Sequence, residues 1–294
     1  KPFKKINMAN ILSLKRRITA AQNVSKTTKA MQMIAASKLK RGQDLALKSR
    51  PYADKLVQLL QNIVSKLEEK FYHDYMKTPK QVKSNLLIIF APDKGLCGGL
   101  IGNIIDEIFN FDSKNPNTIY ITVGKKIEKY VSSLNKEIVA SFNFGTTRPQ
   151  FDKVYPLITI INSFFQGKKV KSVKILYSKF LNVFSQQQEI ADLLPIEFPS
   201  KETAKPMSQT TIFEPSPQIL LSPLLQHYLE TVIFHISLES YASEQAARML
   251  SMQNATNNAI EITNEIRLEY NKARQERITN EILDISSATF TTIM

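Results

Sequence analysis

The segment APDKGLCGGLIGN, residues 91–103, holds the densest set of residues able to do chemistry: a glycine-rich turn, a cysteine and an Asp-Lys pair. It follows an apolar run and opens what reads as a helix, a place where backbone amides can hold a phosphate. It lacks the Gly-Lys-Ser/Thr ending of a P-loop and does not fit Gly-x-Gly-x-x-Gly, so a tight strand-to-helix turn is the plainer reading. Cys97 between glycines resembles an exposed nucleophile, but such a nucleophile needs a base. The three histidines, His73, His227 and His235, fall in helical or linker stretches and show no metal-ligand spacing with one another or with Cys97. A small packed thiol is therefore expected, with no structural metal. Glu239 with Glu244, or Glu276 with Asp284, can be drawn as acid–base dyads. On an exposed helix such carboxylates are solvated, so no catalytic residue is expected.

The elements around these residues are set by where the helix breakers lie. All eight glycines fall between Gly42 and Gly167, and neither glycine nor proline occurs in residues 3–41 or 224–294. Their absence predicts two long terminal helices. The first is expected from about Asn10, past Pro51, towards His73. The second follows EPSPQILLSP, where Pro215, Pro217 and Pro223 punctuate the chain. At about 1.5 Å per residue the second helix reaches roughly 105 Å, far more than a globular domain is wide.

A lone helix of that length buries nothing, so it needs a partner. Ile11, Leu14, Ile18, Ala21, Ser25 and Thr28 recur at steps of three and four, the rhythm of a coiled coil. Tyr228, Val232, Ala242, Ala246, Met249, Thr256, Ile260 and Tyr270 offer a similar spacing on the second helix. The face to be buried carries polar Gln253, Thr256, Asn257 and Thr263 among its apolar residues. Antiparallel pairing of the two ends is the economical arrangement. Between them NLLIIFA, TIYITVG, EIVASF and KVKSVKILYSKF read as strands, and IGNIIDEIFNF, KKIEKYVSSL and PQFDKVYPLITIINSFFQ as helices. The alternation predicts a parallel, doubly wound sheet of about 120 residues. The expected organisation is an N-terminal helix over 1–75, an α/β domain over 76–210 and a C-terminal helix over 211–294.

Composition narrows the function. A hydrophobic content of 43% suits a folded chain, and the single cysteine excludes an internal disulfide. No uninterrupted apolar run of eighteen residues occurs, and the N-terminus has no apolar h-region, so no secretory signal is expected. Residues 1–50 hold thirteen Lys or Arg against one acid, a net of +12, while the whole chain carries +13. The basic character belongs to that segment, which suits phosphates, acidic lipids or an acidic protein surface. LKRRITAAQNVSKTTKA could track a nucleic-acid backbone, but the stretch after it lacks interleaved aromatics for base stacking. A solvated face and an acidic partner remain open beside it. The tail EILDISSATFTTIM carries Ile282, Ile285, Phe290, Ile293 and Met294, which suit another protein's apolar collar or a frayed end.

Five blocks carry a resemblance: LKRRITAAQNVSKTTKAMQMIAASKLKR, DKGLCGGL, LLQHYLE, LESYASEQAARMLSMQNATNNA and YNKARQERITNEI. Together, in this order and over nearly the whole chain, they resemble the gamma subunit family of F-type ATP synthase. The resemblance implies a rotor shaft, an antiparallel coiled coil of the chain's two ends with a Rossmann-like α/β domain at its foot. It implies partners: three alpha and three beta subunits, an epsilon-type subunit (with delta in mitochondria) and the membrane c-ring. Proton or sodium flow turns such a ring, and the asymmetric shaft drives catalytic sites that lie on the beta subunits. It implies no catalytic group, no cofactor, no small-molecule ligand of its own and no nucleic acid for this chain. The implied location is peripheral, on the cytoplasmic face of a bacterial plasma membrane or the matrix face of a mitochondrial inner membrane.

Carried over residue by residue, KAMQM singles out Met31, with Lys26 and Lys29 beside it, as facing an acidic loop of the beta subunit. Arg248 in SEQAARM matches an arginine that hydrogen-bonds this loop. Arg274, Gln275 and Thr279 in ARQERIT match residues meeting a beta-subunit region higher up. SSATF stands where the family commonly has a Gly-Ala-Ala-Ala-like run, which puts the fit of the tip in doubt. The cysteine-bearing insert of the plastid branch is missing, so thiol regulation is not expected.

Overall fold

The computed structural model describes residues 2–67, 72–79, 82–145, 147–197 and 213–292. Packing divides the chain into two compact units, Lys1–Ile34 with Met249–Met294, and Ala35–Arg248. Two helices contribute to both units: α1, Pro2–Ser65, and α5, Pro217–Thr292. α1 runs past Pro51, as its sequence predicts, and stops at Ser65 rather than near His73. There the amides of Lys66 and Leu67 turn back onto the carbonyls of Ile63 and Val64. α5 starts at Pro217, whose missing N–H costs nothing at a first helical position. Ser216 accepts from the amides of Ile219 and Leu220.

In the larger unit the elements between them are β1 (Asn85–Phe90), α2 (Leu100–Lys114), β2 (Thr118–Val123), α3 (Lys125–Ser133), β3 (Ile138–Phe142), α4 (Val154–Phe165), β4 (Ser172–Phe180) and β5 (Gln186–Leu194). They form one sheet in the order β3-β2-β1-β4-β5. β1, β2, β3 and β4 are parallel and β5 is antiparallel to β4. β5 is the departure from the all-parallel sheet expected. QQQEIADLL has too few apolar or β-branched residues to announce a strand. Cross-strand pairs of β4 with β5 hold it instead, Lys179 with Glu189 at 2.8 Å and Lys174 with Asp192.

Both faces of the sheet are covered, and the alternation of side chains along each strand sorts the core in two. Leu86, Ile88 and Phe90 of β1 point to one face with Ile121, Val123, Val173 and Ile175. They meet α4, the end of α1 (Leu56, Leu60, Ile63) and the start of α5. Leu87 and Ile89 point the other way, with Tyr120 and Leu176, against α2 and α3. Within this unit α1 and α5 run antiparallel. Gly42 lies against Ala242, and further along Tyr52 Oη meets His227 Nε2 at 2.5 Å. A Cβ on Gly42 would stand 3.2 Å from the Tyr241 ring, so the helices cross closely here. α5 contains a window of mean hydropathy 1.2, long and apolar enough by composition to cross a membrane. Leu225, Leu229, Ile233 and Ile236 of α5 are instead buried in the sheet core.

In the smaller unit the two helices bury only a seam. On α1 it is Ile11, Leu14, Ile18, Ala21, Ser25 and Thr28, all buried or half-buried. On α5 it is Met252, Thr256, Ala259, Thr263, Ile266 and Tyr270, at steps of four and three. Thr28 and Thr256 join across the seam, Oγ1 to Oγ1 at 2.7 Å. Thr28 is near the end of its segment and Thr256 near the start of the other. Only antiparallel helices could then bury both Ile11–Ser25 and Ala259–Tyr270. The second helix's expected seam needs correction here. Ile260 is 47% exposed, and Gln253 and Asn257 face solvent. The 3.5-residue repeat turns them outward and places Ala259 and Thr263 inward.

Gly124 follows β2 with φ of +122°, and an added Cβ would lie 2.1 Å from the Ala91 carbonyl oxygen. Gly124→Ala should lower the unfolding free energy by about 1–3 kcal/mol from strain alone, read as an earlier denaturation midpoint. Gly102→Ala, inside α2 with open space around it, should be neutral or stabilise by about 0.5–1 kcal/mol.

Candidate functional site

The glycine-rich turn lies between β1 and α2, at the carboxyl end of the parallel strands, where doubly wound sheets bind ligands. Leu96 at φ +64° and Gly98 at φ +58° carry the chain through it. Asp93 accepts from the amide of Lys125 at 3.1 Å, which caps α3. Cys97 points inward and is 2% exposed, packed with Ile89, Leu100 and Ile104. Burial pushes its thiol up, against the opposing pull of Arg248. The expected small packed thiol is what the fold contains.

The crevice beside this turn is filled by α5. Ser237, Tyr241 and Glu244 of α5 lie against Ala91, Asp93 and Gly124, and leave a cavity of about 40 Å³. That is room for about one water molecule. A helix thus stands where a nucleotide would lie.

Arg248 holds it there. Its guanidinium Nη1 donates to Glu244 Oε1 at 2.7 Å, one helical turn back. Nε and Nη2 donate to the Gly95 carbonyl at 3.4 and 3.3 Å, and Nη2 to that of Lys94 at 3.1 Å. Both side chains of the pair are largely buried, at 12% and 13% exposure. Burial raises the Glu244 carboxyl above the usual range, and Arg248 pulls it part of the way back. The glycine-rich turn therefore offers carbonyls to a cation rather than amides to an anion. The Glu244–Arg248 spacing of four is a sequence signal for such a pair. Its contact with Lys94 and Gly95 has no local signal, because those residues lie far away in the chain.

The supposed acid dyads are not brought together as such. Glu244 serves Arg248, while Glu239 sits 3.5 Å from His235. Glu276 is exposed. The histidines are equally engaged. His73 accepts from the Tyr75 amide, and His227 bridges Tyr52 and the buried Glu230. None of the three has Cys97 as a partner.

In the smaller unit Lys26 and Lys29 are exposed and Met31 is half-buried. Arg274, Gln275 and Thr279 are exposed on α5, one or two residues from the half-buried Ala273 and Arg277. Arg277 pairs with Glu281 at 2.8 Å. Leu12, Val24, Met33 and Ile34 of α1 are more than half exposed. Ile282 and Ile285 are exposed at 60% and 69%. Ile293, Met294 and the side chain of Phe290 lie outside the described residues. What this surface offers is contact: mixed charge and apolar area on a rod, with few groups placed for bond-making.

Residues 10–289 match the family described as ATP synthase. A protein named ATP synthase gamma chain from Dehalococcoides mccartyi is 36% identical over 284 residues, covering 95% of this chain and 97% of that one. One of the same name from Glaesserella parasuis is 34% identical over 283 residues, with coverage of 95% and 98%. Among solved structures, a chain of the Euglena gracilis mitochondrial ATP synthase (OSCP/F1/c-ring) aligns with a TM-score of 0.67. It is 16% identical and covers 97% of this chain and 95% of that one. A chain of the Tetrahymena thermophila mitochondrial ATP synthase central stalk/c-ring aligns at 0.59 with 23% identity, covering 78% and 99%.

Removing Arg248 leaves Glu244 buried without its cation, so Arg248→Ala should cost about 3–5 kcal/mol of stability. Adding Glu244→Gln should restore part of that loss. A carboxyl raised by folding binds its proton more tightly in the native state. Its contribution is present below the unfolded value of about 4.3 and fades as pH rises through the folded value. Chemical denaturation of Arg248→Ala from pH 4 to 8 should show that fall more steeply than the parent, and Glu244→Gln should flatten it. Cys97 should react with iodoacetamide at pH 8 at least about tenfold more slowly in the native chain than in denaturant, since its thiolate is scarce.

Proposed function

Because the chain belongs to the family of ATP synthase gamma chains, we propose that it works as the central shaft of that complex, carrying torque and no chemistry. One observation carries the reading. A single unbroken helix, α5, is gripped in a sheet core over its first turns, while farther along it buries only a narrow seam. An element anchored at one end and open to partners along the other is built to transmit force. Arg248 ties α5 to the β1–α2 turn, so a push on the helix is felt by the sheet beneath it.

The exposed side of the smaller unit supports the finer reading. Scattered apolar residues among lysines and arginines give many shallow contacts rather than one deep one, so no single orientation is trapped. A shaft that presents different contacts to each of three equivalent neighbours biases their conformational equilibria in turn. The neighbours are three alpha and three beta subunits. An epsilon-type subunit and the membrane c-ring, driven by protons or sodium, belong at the foot. Lys26, Lys29 and Met31 suit an acidic loop of the beta subunit. Arg274, Gln275 and Thr279 suit a second contact further along, and Arg248 serves the loop from its place beside Glu244. The complex is membrane-associated; this chain is placed peripherally, on the cytoplasmic face in a bacterium or the matrix face in a mitochondrion.

Purification of the complex from membranes tests the reading, since this chain must come out with alpha and beta chains. Gln275→Ala should remove a contact of about 1 kcal/mol, roughly a fivefold weakening. ATP-driven ion pumping by the assembled complex should fall more than ATP hydrolysis does. Unchanged pumping and assembly with both Gln275→Ala and Arg274→Ala would remove these residues from the contact set.

A further inference from the structure

At the end of the sheet where the parallel strands begin, β1, β2 and β4 start side by side, with Asn85 opposite both Thr118 and Ser172. That register gathers three segments remote in sequence: the residues ahead of β1, the end of α2, and the residues ahead of β4. Each supplies a lysine, Lys83, Lys114 and Lys171, to an open cavity of about 750 Å³, and Lys174 of β4 adds a fourth. Its floor is polar. Ser172 Oγ donates to Asn85 Oδ1 at 2.8 Å, and the Asn85 amide donates to Asn115 Oδ1 at 3.1 Å.

Lys174 is neutralised by Asp192. Among the described residues Lys83, Lys114 and Lys171 have no carboxylate within ion-pair distance, and Glu197, the one acid lining the cavity, pairs with none of them. Here the strand register brings to one cavity three lysines that have no carboxylate partner among the described residues, and an anion between them would relieve their mutual repulsion. The helix dipole accounts for Lys114, which lies in the last turn of α2. It does not account for Lys83 or Lys171, which lie in no helix.

The ligand chemistry follows from the residue types. Lysine is a point charge that suits a tetrahedral, multiply charged group, whereas a planar carboxylate is best met by the fork of an arginine, and no arginine lines this cavity. The volume lies in the range of small-ligand sites. We propose that this cavity recognises phosphate, as the diphosphate of a soluble anion or the phosphodiester of an anionic lipid headgroup. The proposal does not depend on the reading of the chain as a shaft.

The full chain should be titrated with inorganic pyrophosphate, with phosphatidylcholine vesicles containing phosphatidylglycerol, and with phosphatidylcholine vesicles alone. Lys83→Gln/Lys114→Gln/Lys171→Gln is compared with a charge-matched variant on α3, Lys125→Gln/Lys126→Gln/Lys129→Gln, all six side chains being exposed. Saturable binding is expected, weakened about tenfold or more by the first variant, less than about twofold by the second, and further weakened by added salt. Pyrophosphate binding identifies a soluble anion as the ligand class; binding confined to the anionic vesicles identifies the headgroup. Should the triple variant fold poorly, Lys171→Gln alone must still weaken binding. No saturable binding to either probe, or equal loss in both triple variants, overturns the proposal.

Discussion

A helix of 76 residues cannot bury its own apolar side chains, so each stretch of α5 must lie against something, and it finds two different supports. Inside the larger unit it lies on a sheet. Leu225, Leu229 and Ile233 are wholly buried there, at about 1.5–3 kcal/mol of hydrophobic stabilisation each. In the smaller unit it lies on one other helix, where the seam is built from Met252, Thr256, Ala259, Thr263 and Ile266. Small side chains let the backbones approach. The buried threonines cost little, since Thr256 and Thr263 return their hydroxyls to the carbonyls one turn back, at 2.8 and 2.7 Å.

The same constraint removes the chemistry that an α/β sheet would otherwise offer. To bury its first turns α5 must cross the carboxyl end of the strands, and in doing so it fills the crevice between β1 and β2. Arg248 and Glu244 complete the closure, because a buried carboxylate requires a cation and the cation in turn requires the Lys94 and Gly95 carbonyls. Cys97 is packed beneath that turn. What looks in the sequence like a reactive loop is the fastening between helix and sheet.

Much of this was legible from residue order. The absence of glycine and proline marks α1 and α5, and the step of three and four finds the α1 seam without error. β-branched runs mark β1 to β4. The failures have two causes. β5 is held by pairing with β4 rather than by its own preference. Ile260 looks apolar enough for the seam but falls at the wrong phase of the repeat. Arg248 pairs with Glu244 at a spacing the sequence shows, but the Lys94 and Gly95 carbonyls that it also meets lie about 150 residues back. For β5 and the carbonyls at Arg248 the deciding contact is non-local, whereas for Ile260 it is the phase of the repeat.

The sequence by itself determined which segments are helix and which are strand, that the two ends must pair, and to which family the chain belongs, because propensity, periodicity and motif are properties of neighbours along the chain. Only the tertiary structure decided the sheet's antiparallel edge, the partners of Arg248, the filled crevice and the meeting of Lys83, Lys114 and Lys171 at one end of the strands. Those depend on strand register and on which faces touch, and no local run of residues encodes the distance between two points remote in the chain.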